Sequence, residues 1–311
     1  MAEPHADLEH PAPAASPITR PETGTLPHRK WESLARRLGL AALRVLGLVA
    51  LGTAVVIRLF SAGWVFCPEQ HAGVTTGRLP ATPRGVQDVY LTTDDGVRIY
   101  AWWLPRDDAR WTFIYFHGNA GNLDSRIMWV RHLASLPANV LALDYRGYGR
   151  SLGAPSEEGL YLDAKAAFEH LTVERGVPAR DVVVYGVSLG GGVACWLAEH
   201  EECRALILQS TFTSVTDMAD IVFAPVPAGW LVPVKLDNLS RIPDIAEPLL
   251  VIHSHADETI PYYMAERLYA SASGMKRLAP FDDSGHNWLI IDQHAEVIAV
   301  IRSFLEECAA R

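Results

Sequence analysis

The stretch Tyr185-Gly186-Val187-Ser188-Leu189-Gly190-Gly191-Gly192 decides the fold. Ahead of it, Val182 to Tyr185 is a short apolar run suited to a strand buried on both faces; behind it, Leu189 to Glu199 reads as a helix. A serine with glycine two residues away on each side, at a strand-to-helix junction, has the G-x-S-x-G pattern of a nucleophile elbow. The turn is so sharp that a side chain at position 186 or 190 would collide with neighbouring backbone, which explains both glycines. Such a turn lifts the hydroxyl clear of the sheet and aims a helix N-terminus at it, where free N–H groups and the dipole favour a developing oxyanion.

A serine hydroxyl is a poor nucleophile until a base takes its proton, and the base needs an acid to fix its tautomer. On this framework the chain order is serine, acid, histidine. Asp257 lies in "IHSHADETIP" (252–261), just after the apolar run Leu249 to Ile252, and His286 lies in "DSGHNW" (283–288), between the last strand candidate and the last helix. Both loops then leave the strand C-terminal edge, where open α/β sheets bind ligands and where Ser188 already sits. The second half of an oxyanion hole is read in "FHGNAGN" (116–122), with the backbone N–H of Asn119 paired with that of Leu189. His117 precedes the serine, out of order for the base, and is assigned to holding this loop.

Working outward, the apolar runs Trp111 to Phe116, Val140 to Leu143, Ala205 to Leu208 and Arg277 to Phe281 alternate with helix-length segments at Leu123 to Ser135, Ser156 to Arg175, Tyr262 to Ser271 and Gln293 to Glu307. Alternation of this kind predicts βαβ units around a mostly parallel sheet. "VQDVYLTTDDGVRIYAWWLP" (86–105) reads as an antiparallel hairpin turned at Asp95-Gly96. The segment between Ser210 and Leu249 is too long for a connection and predicts a cap insertion over about 211–247. Within it Phe212, Met218, Val222, Phe223, Trp230 and Leu231 are candidates to line an acyl pocket.

The N-terminal region differs in composition. Residues 1–37 read as an irregular cytoplasmic tail, Pro- and Ala-rich at first and ending in Arg29, Lys30, Arg36 and Arg37. Leu38 to Ile57 is nearly all apolar, its one charge being Arg44, and 20 helical residues span roughly 30 Å, the thickness of a bilayer core. This predicts a transmembrane anchor over 38–60, with Trp31, Trp64 and Phe66 at the interfaces. Cations before the apolar run place the N-terminus in the cytoplasm and the catalytic domain, 67–311, outside it. A cleaved signal ending near Ser61-Ala62-Gly63, with an unusually long leader, and an amphipathic or misread buried helix are the alternatives.

With 27 Lys and Arg against 36 Asp and Glu, the formal charge of −9 argues against a nucleic-acid partner. Cys67, Cys195, Cys203 and Cys308 show no metal or redox spacing; a Cys195–Cys203 disulfide is open if the domain leaves the cytoplasm. His253-x-His255-x-Asp257 resembles half of a two-metal motif, but Glu258 stands where a further histidine is needed. Gly147-x-Gly149-x-x-x-Gly153 has the wrong spacing for a dinucleotide fingerprint. No metal and no cofactor is expected.

Taken together, "HGNAGN", "DYRGYGRSLGAPSEEG", "YGVSLGGGVA", "HADETIP" and "SGHN" resemble the α/β-hydrolase superfamily over roughly residues 84–308, close to single-pass membrane-anchored abhydrolase-domain proteins and serine-aminopeptidase-like hydrolases. Gly192 and the His253-Ser254 pair depart slightly from the usual pattern. The resemblance implies an α/β-hydrolase fold with nucleophile Ser188, acid Asp257, base His286 and oxyanion amides of Asn119 and Leu189. The function implied is a serine hydrolase working through an acyl-enzyme. Cap and anchor favour a lipid-like ester or thioester with an apolar acyl group; an aminopeptidase or amidase, or a catalytically silent membrane-bound scaffold, are the alternatives.

Overall fold

The structure, a computed structural model, describes residues 28–70 and 85–310. It divides into two units, Met1–Thr53 and Ala54–Arg311. In the first, helix α1 (His28–Val65) begins ahead of the apolar run and continues past the unit's end. Residues 28–37 are therefore helical rather than irregular: between His28 and Gly39 there is neither Pro nor Gly, so extending the helix backwards from the apolar run is cheap once it has nucleated. Its segment Trp31–Val56, 26 residues containing an 18-residue window of mean hydropathy 2.0, is long and apolar enough to cross a membrane. The tail up to position 27 lies outside the described residues.

The second unit is built on one eight-stranded sheet in the order β1-β2-β4-β3-β5-β6-β7-β8. Strands β1 (Gln87–Thr92) and β2 (Arg98–Leu104) form the expected hairpin, with Gly96 supplying the positive φ of 80° that its turn requires. β2 pairs antiparallel with β4 (Ala138–Asp144). From β4 onward the sheet is parallel, through β3 (Trp111–Phe116), β5 (Val182–Val187), β6 (Ala205–Gln209), β7 (Leu249–Ser254) and β8 (Lys276–Phe281). Every residue of β3, β5, β6 and β7 is buried, which is why they read as apolar runs without alternation.

Helices cover both faces. On one lie α3 (Glu157–Glu169), α4 (Leu189–His200) and α7 (Tyr263–Ser271), with α5 (Val215–Val222) and α6 (Asn238–Arg241) of the cap packed onto the same core. On the other lie α2 (Ile127–Leu133), α8 (Leu289–Asp292) and α9 (His294–Ala309). Two predicted helices are shorter than expected. The first opens as a 3-10 turn, Leu123–Arg126, whose start is closed by a capping box between Asn122 and Ser125. The second widens at His170–Glu174 into a π turn.

Phe66, expected at a membrane interface, is 3% exposed within the second unit's core, because α1 ends at Val65 and the chain turns inward there. The side chain of Trp64 is outside the described residues. Cys195 and Cys203 are both buried free thiols, with no disulfide between them.

Candidate active site

Ser188 stands alone between β5 and α4, with φ 52° and ψ −118°. A non-glycine residue held there carries strain of about 1–3 kcal/mol and persists only where its surroundings fix it. Three hydrogen bonds do so: Ser188 N donates to Gln209 O at 2.9 Å, and its carbonyl accepts from Thr211 Oγ1 at 2.7 Å and Gly191 N at 2.9 Å. The flanking glycines are required sterically. A Cβ at Gly186 would lie 2.4 Å from Gly190 O, and one at Gly190 would lie 2.1 Å from Phe116 O.

The three side chains singled out from the sequence form one hydrogen-bonded row, though they lie on loops after β5, β7 and β8. His286 Nε2 is 3.0 Å from Ser188 Oγ, and His286 Nδ1 is 2.8 Å from Asp257 Oδ2. Asp257 Oδ1 accepts from the N–H groups of Thr259 and Ile260 at 2.9 and 2.8 Å, and His253 Nε2 stands 3.3 Å from Oδ2. Burial works against the Asp257 charge, yet hydrogen bonds from His253, His286 and the Ile260 N–H outweigh it and hold this carboxyl well below the usual carboxylate range. Glu258 makes a different contact: its Oε2 accepts from the His286 backbone N–H at 3.0 Å and so fixes the loop rather than the ring.

Across the cleft, Asn119 and Leu189 line the same cavity as Ser188. Among the described residues neither backbone N–H is spent on a protein acceptor. His117 is fully buried on the loop's far side, its Nδ1 2.6 Å from Gly118 O and its ring against Tyr145 and Tyr148. Burial, reinforced by the Arg126 charge, lowers His117 to about 3, so its ring is neutral. Below it Asp144 accepts from Leu123 N at 2.8 Å and Arg150 N at 3.4 Å, and Gly149 is glycine because a Cβ would lie 1.9 Å from Asp144 Oδ2.

A strap missed in the sequence secures this side of the cleft. After Val65 the chain runs along the Asn119 loop: Cys67 N donates to Asn119 Oδ1 at 2.8 Å, Asn122 Nδ2 to Glu69 O at 3.1 Å, and Gly149 N to Glu69 O at 3.0 Å. Bridges pair Pro68 with Gly121 and Gln70 with Gly149. Tyr148 also donates to Asn119 Oδ1, at 3.0 Å. Five residues without periodicity give no pattern to read in advance.

Over the row lies a cavity of about 570 Å³. Phe212, Met218, Val222 and Phe223 line it, as the cap reading anticipated. Trp230 does not: it is 73% exposed at the cap's outer surface, carried there by a 3-10 turn at Gly229–Leu231, and Leu231 is buried in the core. The two histidines of the half metal motif diverge. His253 Nε2 lies 2.9 Å from Ile260 O, while His255 Nδ1 pairs with Asp282 Oδ1 at 2.6 Å and its ring packs on Tyr262. Among the described residues no grouping of His, Cys, Asp and Glu is arranged to hold a metal ion.

Residues 112–233 match the family described as alpha/beta hydrolase fold. An uncharacterized Mycobacterium tuberculosis protein is 33% identical over 279 residues, 89% of this chain and 98% of its own length. The Arabidopsis thaliana alpha/beta hydrolase domain-containing protein WAV2 is 34% identical over 251 residues, covering 73% of this chain and 80% of that protein. Among solved structures, the Pyrococcus furiosus esterase Pf2001 superposes with a TM-score of 0.64 at 22% identity, covering 78% of this chain and 98% of that one, a likeness of fold. With a strand-to-helix elbow on a mostly parallel sheet and relatives matched along most of their length, the chain belongs to the α/β-hydrolase family.

Proposed function

We propose that this hydrolase acts through Ser188 as nucleophile, His286 as general base and acid, and Asp257 as the carboxylate that orients and stabilises the imidazolium. The observation that carries the reading is the unbroken row from Ser188 Oγ through both nitrogens of His286 to Asp257 Oδ2, at 3.0 and 2.8 Å. Ser188 Oγ attacks the substrate carbonyl carbon while its proton passes to His286 Nε2; the carbonyl oxygen becomes an oxyanion facing the amides of Asn119 and Leu189. Collapse of that intermediate breaks the bond to the leaving oxygen or sulfur, which takes the proton from His286. Water, deprotonated by the same ring, then attacks the acyl-enzyme and releases the acid with Ser188 restored.

An apolar cavity wall of Phe212, Met218, Phe223 and Ile260 supports an ester or thioester with an apolar acyl group. The span Trp31–Val56 supports a single-pass anchor, and Arg29 and Lys30 before it, with Arg36 and Arg37 in its first two turns, support a cytoplasmic N-terminus with the catalytic domain translocated. The deciding experiment labels full-length protein with a fluorophosphonate and measures initial rates on matched ester, thioester and aminoacyl-amide substrates. Labelling at Ser188 with ester or thioester turnover is expected; turnover that survives Ser188→Ala would overturn the assignment.

A further inference from the structure

The reaction proposed above leaves several polar groups of the cavity lining unused, and two of them carry a buried donor without a hydrogen-bond partner among the described residues. Arg126 ends the 3-10 turn that follows the Asn119 loop, and it is the one Lys or Arg among the described lining residues, which include no carboxylate. Its Nη2 donates to Ala120 O at 2.5 Å, and its guanidinium lies 5.3 Å from the ring centroid of Trp129. Its Nε is buried with no hydrogen-bond partner among the described residues, and no described carboxylate pairs with it. Tyr115 lines the same cavity from β3; it is 0% exposed, and its hydroxyl has no hydrogen-bond partner among the described residues either. The two groups sense one another: burial pushes the Tyr115 phenol up, and the Arg126 charge draws it partly back.

A buried guanidinium N–H without an acceptor is costly, and so is a buried hydroxyl without one. Every hydrogen-bonding group Arg126 offers is a donor and the phenol has a proton to give, so an oxygen acceptor relieves both, and an anionic one also supplies the counter-charge and the stronger charge-assisted bonds. A neutral ester could supply an acceptor but no counter-charge to the guanidinium. We propose that Arg126 and Tyr115 are specificity-determining residues that bind a carboxylate or phosphate carried by the substrate, while the cap side of the same cavity takes its apolar chain. The inference rests on the serine-hydrolase reading for the word substrate, but the anion site itself is measurable without turnover.

The test is calorimetric titration of full-length protein in neutral detergent with octanoate, octyl phosphate and octanol. The expected result is that one of the two anions binds at least about tenfold more tightly than octanol, and that Arg126→Gln and, to a lesser degree, Tyr115→Phe erase that preference. Which anion carries it identifies the group as carboxylate or phosphate. Tyr115→Phe removes one oxygen and keeps the packing, so it reads the site even if Arg126→Gln folds poorly. Equal binding of all three probes, or an anion preference that both variants retain because the charge sits against the Asn119 and Leu189 amides instead, overturns the proposal. Failure of Ser188 to label with fluorophosphonate while the preference holds overturns the hydrolase reading and leaves the anion site supported.

Discussion

Ser188 combines backbone strain with the position the proposed chemistry needs, and its neighbours hold it there through backbone contacts that an alanine would keep. Ser188→Ala is therefore expected to leave the melting temperature within about 2 °C while turnover falls by several orders of magnitude. A sharper discrimination lies between two adjacent acids. Asp257 meets the imidazole and Glu258 meets only the backbone N–H of His286. Asp257→Asn keeps a hydrogen bond but favours the wrong tautomer, at a cost on the order of 10⁴ in kcat; Glu258→Gln should cost less than about tenfold. Steady-state kinetics of the two variants check this, and a larger loss at Glu258 would reverse the roles. Ser188, Asp257 and His286 were legible in the sequence because the chemistry demands those residue types in that chain order, after strands that read plainly. Arg126 and Tyr115 were not: a cation beside a helix start and an aromatic in a buried strand look like ordinary surface and core until the cavity brings them together.

The elements most easily read were those whose burial is uniform. β3, β5, β6 and β7 are covered on both faces, so their apolar runs matched their observed bounds closely. The strap Phe66–Gln70 was not legible, since backbone groups make most of its contacts and any residue but proline can supply those. One of its side-chain ties is Asn119, whose Oδ1 accepts from both Cys67 N and Tyr148 Oη. Asn119→Ala keeps the backbone N–H proposed for the oxyanion but releases the loop that aims it. The expected result is a loss on the order of tenfold or more in kcat with KM little changed, because a misaimed donor weakens the transition state and not ground-state binding. Asn119→Asp retains an acceptor for both donors and should restore most of the rate. An equal rise in KM, or no rescue by aspartate, would show that the strap merely shapes the cavity.

At the scale of the whole molecule, the sequence identified a mostly parallel sheet but not its order: nothing local says that β4 lies between β2 and β3, because strand neighbours are chosen by crossover handedness and by which faces the helices must cover. Stability, too, is a property of the whole, and its buried titratable groups, Asp144 among them, give it a measurable pH dependence. Asp144 is 1% exposed, and burial raises it to about 7, offset only in part by the N–H groups of Leu123 and Arg150. In the unfolded chain an aspartate titrates near pH 4. Between about pH 4 and 7 the folded protein therefore holds a proton that the unfolded chain has released, so this group's contribution is complete below that window and declines as pH rises through it. Asp257 acts with the opposite sign: its carboxyl is held low, so its contribution is present above about pH 4 and is lost only as pH falls further. From pH 5 to 8 the buried Asp163, raised by burial to about 6, adds an effect of the same sign and the lowered His117 one of the opposite sign, so the Asp144 share is read as a difference between the wild type and a variant. Asp144→Asn keeps an oxygen acceptor for Leu123 N–H and carries no titratable proton. The wild-type melting temperature minus that of the variant should fall as pH rises across that range, and parallel curves would show that Asp144 stays ionised in the fold.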